Sequence, residues 1–305
     1  LRGMPIYLAS LNMRAGQVLI GPLIPILKVY FDLSNAAIAL LAGIPIFCFA
    51  ATSLIMSQVA KLGSSNRIIK MAMFALTIAL IGRTTTGLIG LYIFAFVMGI
   101  AIAIMNYELP AWVKEHAPTE AGFITGVYAT LMGIAAAISI AISVPLAELN
   151  SLSWRMAMVP WIALALLTSL YWWRKMDSKE PKTEVRTVAF WKSKAFKNPI
   201  AWALVAFFGL ESMTFYATAT WFPTLLTTKG FTLRDAAIAI SISGLIGSGV
   251  SIAVPHYIEG LRDPRNAIVL VSTVMTFAFF MITVQSGPIL LIWLTLSNIG
   301  ISIVF

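Results

Sequence analysis

Residues 8–27 read LASLNMRAGQVLIGPLIPIL, an apolar run that nonetheless holds Asn12, Arg14 and Gln17. A charge near the bilayer centre costs roughly 2.5 to 3.5 kcal/mol on insertion scales, so an arginine kept there points to a ligand or a partner. Arg14 lies about nine residues into the run, on the order of 14 Å at about 1.5 Å per residue, which is near the midplane. Asn12 and Gln17, close to it along the helix, are read as sharing its face. A second run carries GLESMTFYATATWFP, and counting from Pro25 in the first to Pro223 in the second places Arg14 level with Ser212. Glu211 therefore sits at a matching depth, and the two charges are expected to face each other. Two chemistries fit: a planar fork of arginine donors for a small anion, with Glu211 as a proton-linked gate or counter-charge, or a buried ion pair that only neutralises itself. Asn106 and Tyr128 are candidates to complete a ring of donors around the anion, with plain interhelical hydrogen bonding as the alternative. Tyr216 and Trp221 wall the cavity on one reading and belong to an interfacial belt on the other. Glu108 is read as reaching the interface.

The elements that position these groups must be membrane helices. With 59% hydrophobic against 11% charged residues and a mean hydropathy of +0.90, the chain of 305 residues is too apolar for an ordinary soluble domain. Apolar runs fall near 5–30, 35–60, 68–84, 88–113, 121–148, 153–174, 199–226, 234–258, 267–285 and 288–305, about ten spans at the usual length of about 20 residues. None alternates as a barrel strand would, so the expected class is an all-α integral membrane protein. The only cysteine is Cys48 and the only histidines are His116 and His256, far apart in sequence. No disulfide, metal or catalytic constellation can be assembled from them, so an enzyme is not expected and no cofactor is called for.

The net charge of +9 follows loop topology and makes no continuous patch, which argues against nucleic acid as a partner. Placing the N-terminus in the cytoplasm puts Arg2, Lys61, Arg67, Lys70, Lys114 and the basic residues of 174–198 inside, against Lys28, Arg155, Lys229 and Arg234 outside. That is the positive-inside pattern. The longest polar stretch, RKMDSKEPKTEVRTVAFWKSKAFKN at 174–198, is read as a cytoplasmic loop, with an interfacial helix expected over 187–196. On either side of it the motif LSNAAIAL at 33–40 returns as LRDAAIAI at 233–240. Both copies begin on the same side of the membrane, so the repeat is parallel, as in the two halves of major facilitator transporters. The expected units are an N-terminal six-helix half over 1–174, a central loop over 175–198 and an incomplete C-terminal half over 199–305. The C-terminal half is read as truncated within the tenth span, where the chain stops without a closing loop.

Taken with SWRMAMVPW at 153–161, these segments carry a family resemblance. The chain resembles the cyanate and 2-nitroimidazole transporter family of the major facilitator superfamily along its whole length. Asn12 and Arg14 match the family's N-x-R, Asn106 and Pro110 its N-x-x-x-P, Tyr128 its T-G-x-Y, and Glu211, Tyr216, Trp221 and Pro223 its seventh-helix motif. The family commonly has G-L-Q-S where this chain has GLES, N-V-L-L-P where it has NYELP, and a fuller signature where it has KLGSSNR. The resemblance implies a secondary transporter working by alternating access, moving a cyanate-like, nitrate-like, small carboxylate or nitroimidazole-like molecule, by symport if Glu211 carries the proton. The alternative is a non-transporting receptor on the same fold. The substrate-binding set expected is Arg14, Asn12, Gln17, Asn106, Tyr128, Glu211, Tyr216 and Trp221. The expected partners are a small-molecule substrate, anionic by the arginine, and membrane lipid, around a monomer in the plasma or inner membrane.

Overall fold

The computed structural model describes residues 3–149, 153–176, 197–258 and 265–304. The interfacial helix expected over 187–196 lies outside these residues. Among them the regular elements are helices: α1 (Met4–Val18), α2 (Ile20–Phe31), α3 (Asn35–Val59), α4 (Ser65–Thr85), α5 (Leu88–His116), α6 (Ala121–Glu148), α7 (Val159–Lys175), α8 (Pro199–Thr228), α9 (Leu233–Ile258), α10 (Arg265–Val284) and α11 (Leu290–Val304). Eight of the helical segments are long and apolar enough to cross a membrane. The all-α reading and the sequence spans hold, with one refinement: the first run is two helices, interrupted at Leu19.

Proline explains the interruption. Pro22 has no N–H to return to the Val18 carbonyl and Pro25 none for Gly21, so the backbone bonds of the second half of the run are thinned where α2 begins. Side chains of neighbouring helices bond carbonyls in the last turn of α1, next to the interruption. Ser139 of α6 donates to the Ala15 carbonyl at 2.7 Å, and Arg83 of α4 donates through Nη1 to the Gly16 carbonyl at 3.0 Å. Irregular backbone at membrane depth survives only where protein satisfies it in this way.

Side-chain caps fix where the repeated segments start. Ser34 accepts from the Ala37 N–H at 3.2 Å ahead of α3, and Thr232 accepts from the Asp235 N–H at 3.1 Å ahead of α9. A hydroxyl just before the helix satisfies one of the orphan donors of the first turn in both motif copies.

Buried apolar side chains form one large cluster drawn from α1 to α7, and a second joining α8, α9, α10 and α11 to Val18 of α1 and Ala136, Ile140 and Val144 of α6. The second cluster thus ties the late helices to the early ones. Small residues permit the closest approaches. A Cβ on Gly99 would stand 2.7 Å from Pro45 Cα, so a larger residue there would push α5 off α3.

Short connections from α2 to α7 and between α8 and α9 make these successive helices antiparallel, and the contacts of α8 with the first span run in register: Phe215 lies beside Arg14 and Ala219 beside Gly21. The face on which α1 and α8 begin is the proximal face; the opposite face is distal.

Candidate functional site

A cavity of about 1240 Å³ occupies the centre of the bundle, walled by residues of α1, α3, α5, α6, α8, α9 and α11. It reaches from mid-depth to the proximal face, where Gly122, Phe123 and Thr125 of α6 are exposed. Its distal end is shut. There Gly21 of α2 meets the Ala219 carbonyl of α8 so closely that any Cβ would collide with backbone. Val144 of α6 and Ala236 of α9 are buried in one cluster beside them.

Arg14 and Glu211 are the charged residues on the cavity wall among the described residues. Arg14 is half-buried, with its guanidinium carbon 4.3 Å from the centroid of the Phe215 ring. A guanidinium over an aromatic face gains electrostatic attraction from the ring. Glu211 is only 5% exposed. Both of its carboxylate oxygens are shielded and accept no hydrogen bond of normal geometry; the charge of Arg14 and the hydroxyl of Ser212 are the influences that reach it. An ionised carboxylate in that position is costly unless a cation, a proton or a ligand answers it.

The residues singled out from sequence separate into two groups. Arg14, Glu211, Asn106, Tyr128 and Tyr216 border the one cavity. Asn12, Gln17 and Trp221 do not line it. Asn12 lies two residues before Arg14, about 200° round the helix at about 100° per residue, and its amide donates to the Thr168 hydroxyl of α7 at 3.0 Å and to the Leu8 carbonyl at 2.9 Å. The shared face expected for it is therefore corrected: it ties helices together. Gln17 lies a turn beyond Arg14 and borders a separate, smaller space with Arg83 and Tyr216. Trp221, 38% exposed, stands about 140° round from Tyr216 and past the Gly21 closure. Glu108 is 4% exposed, near the hydroxyl of Ser65 at the start of α4.

Other wall residues went unassigned in the sequence. Phe215, adjacent to Tyr216, carries the contact with Arg14. Asn298 of α11 donates to the Ser243 hydroxyl at 3.1 Å while bordering the cavity. Its signal was available, a lone amide in an apolar helix. Arg83 was visible as a charge inside a span, without a partner to suggest its role.

A bundle of apolar helices around a central cavity with one end shut is a transporter architecture, and the family comparison decides which. The model of the Major Facilitator Superfamily matches residues 6–305. The chain belongs to the major facilitator superfamily. Within that superfamily it is 26% identical over 299 residues to the uncharacterized transporter YycB of Bacillus subtilis (strain 168), covering 97% of this chain and 73% of that one. It is 27% identical over 256 residues to the 2-nitroimidazole transporter of Escherichia coli (strain K12), covering 82% of this chain and 64% of that protein. The cyanate transport protein CynX of the same organism is 22% identical over 303 residues, covering 97% and 76%. The resemblance read from the motifs is thus found in the relatives. Among solved structures, a bacterial homologue of the human lysosomal transporter Spinster superposes with a TM-score of 0.78 at 15% identity, over 99% of this chain and 71% of that one, which speaks for the fold alone. The chain is a multi-pass membrane transporter of the superfamily with a small-molecule substrate.

Proposed function

We propose that this chain is a secondary transporter for a small anion or small polar organic molecule, of the cyanate, nitrate, small carboxylate or nitroimidazole kind, with Arg14 as the anchor and Glu211 as the proton-coupling group. The observation that carries the reading is that these two charges, on helices far apart in sequence, border the same cavity at the same depth. Arg14 offers a delocalised charge with donors in a fixed plane, suited to an anion with two acceptor atoms. Asn106 of α5 and Tyr128 of α6 border the same cavity and supply neutral donors. Glu211 has the chemistry to trade a proton against substrate, because its shielded oxygens have no other protein donor of normal geometry.

The cavity is larger than one small anion needs, since about 300 to 1,000 Å³ already suffices for a drug-sized ligand. A substrate of this class fills the Arg14 corner, and rocking of the halves 1–174 and 199–305 closes the rest around it. With the N-terminus cytoplasmic in the plasma or inner membrane, the proximal opening faces the cytoplasm and the Gly21 closure faces outward. The working unit is the monomer, in contact with membrane lipid.

The test is uptake and binding of cyanate, nitrate, small carboxylates and 2-nitroimidazole by the purified chain in proteoliposomes. Binding of at least one of them that disappears in a folded Arg14→Ala protein supports the anchor. Recovery of folding on removing both Arg14 and Glu211, with binding intact, would show instead that the pair is structural. In Glu211→Gln, loss of accumulation driven by a pH gradient with retention of substrate exchange is the expected signature of coupling; unchanged pH-driven accumulation removes Glu211 from that role.

A further inference from the structure

On the part of the cavity wall formed by α9 and α11, the one side-chain amide is that of Asn298. Both hydrogens of its nitrogen are spent, one on the Ser243 hydroxyl of α9 at 3.1 Å and one on the Leu294 carbonyl at 3.0 Å. The Ser243 hydroxyl itself donates to the Ile240 carbonyl at 2.9 Å, so its single hydrogen is taken and toward Asn298 it can only accept. Turning the amide over would set its oxygen against two acceptors, which fixes its orientation. Gly247 holds the two helices close at this point, since a Cβ there would stand 2.7 Å from the Asn298 backbone oxygen. Among the described residues no donor reaches the side-chain oxygen of Asn298, and that oxygen is not sealed off by packing. An open acceptor at membrane depth is costly unless water or a ligand answers it, and the cavity is where either would come from.

Asn298 also stands level with Arg14. Ser139 of α6 bonds the Ala15 carbonyl, next to Arg14. Two residues back along α6, Ala137 is 4.0 Å from where a Cβ on Gly244 would stand, and Gly244 follows Ser243, the partner of Asn298. Each of these steps stays within one helical turn, about 5.4 Å.

Taking Arg14 as the anchor read above, we propose that Asn298 is a specificity-determining acceptor of the same cavity, selecting a small organic substrate that carries an N–H or O–H donor as well as the oxygens that Arg14 binds. The two walls then ask for opposite chemistry: Arg14 offers donors only, and Asn298, with both of its hydrogens committed, offers an acceptor only. Cyanate and nitrate ions have no hydrogen to give, so with them the Asn298 oxygen stays unpaired or faces negative charge. A nitro-substituted azole with its ring N–H, or a small hydroxycarboxylate, answers both walls at once. A site built to accept from a substrate N–H or O–H rejects the analogue that lacks it more strongly than an apolar wall rejects a change of size, because the buried acceptor is left without a partner.

The experiment measures binding to the purified full chain with matched pairs of probes that differ only in the donor: 2-nitroimidazole against 1-methyl-2-nitroimidazole, at a pH acid enough to keep the ring N–H, and glycolate against methoxyacetate, with nitrate and cyanate alongside. In at least one pair the member that keeps its donor is expected to bind about tenfold more tightly, and Asn298→Leu is expected to erase that difference by weakening the donor-bearing member alone. Ser243→Ala separates recognition from packing. It breaks the same bond between α9 and α11 but leaves the acceptor, held by Leu294, and is expected to keep the preference; loss of the preference in Ser243→Ala as well would make Asn298 a packing residue and overturn the proposal. Equal binding within both pairs, or a preference that survives Asn298→Leu, also overturns it. Binding of nitrate or cyanate alone, abolished by Arg14→Ala, would sink the Asn298 inference and leave the anchor standing. A donor preference that vanishes in Asn298→Leu and persists in Arg14→Ala would do the reverse, and no binding by any probe removes both.

Discussion

At the scale of single residues, Arg14 combines two properties that lysine separates. Arg14→Lys keeps the positive charge but loses the planar fork and most of the stacking on Phe215. Substrate half-saturation in proteoliposomes is expected to rise about tenfold in Arg14→Lys, a loss of about 1.4 kcal/mol, whereas Arg14→Ala removes saturable uptake. Equal uptake by the lysine variant would mean that charge alone suffices. Asn12 behaves differently. Its bond to Thr168 joins α1 to α7 away from the cavity, and interhelical hydrogen bonds of this type average about 0.6 kcal/mol. Asn12→Leu should lower the thermal midpoint slightly and leave substrate half-saturation where it was; a selective loss of affinity would return Asn12 to the site. The presence of these polar groups was legible because lipid makes each of them expensive. Their direction was not, since a shift of two residues turns a side chain to the far side of a helix, and Asn12 and Arg14 differ by that shift.

At the scale of elements, the distal closure depends on one missing side chain. Gly21 lies on α2, just past the interruption at Leu19, and any Cβ there would strike the Ala219 carbonyl. Gly21→Val should hold α2 away from α8 and disfavour the closed distal end. The readout is the alkylation rate of a cysteine introduced as Thr125→Cys at the proximal mouth of the cavity, against the buried native Cys48. Added to that reporter, Gly21→Val is expected to slow labelling severalfold, because opening the distal end closes the proximal one. An unchanged rate in a folded protein would show that the Gly21 contact does not bias the two states. Pro25, which follows this glycine, was plain in the sequence, and so were the motif copies at 33–40 and 233–240. The contact with Ala219 was not, because nothing local to LIGPLIP names the helix that will lie against it.

At the scale of the whole molecule, charge and closure point the same way. Basic residues gather at the proximal ends of helices, at Lys61, Arg67, Lys114, Arg174 and Lys175. Several of the distal ones are engaged locally: Lys28 donates to the Asn35 side chain at 2.7 Å, Arg155 to the Thr84 carbonyl at 2.9 Å, and Lys229 to the Thr283 carbonyl at 2.7 Å. These distal cations therefore have local structural partners, and the excess at the proximal ends is the ground for the expected orientation. The helical architecture was legible at this scale because a bilayer admits so few ways to satisfy a backbone; the depth and opening of the cavity emerge only from packing between helices. If the proximal face is cytoplasmic, a membrane-impermeant maleimide added to intact cells should label Asp32→Cys and Thr232→Cys, whose positions lie in distal connections, and should reach Glu120→Cys only after permeabilisation. The reverse pattern would invert the protein and turn the cavity outward, so that the state described here would load its substrate from outside the cell.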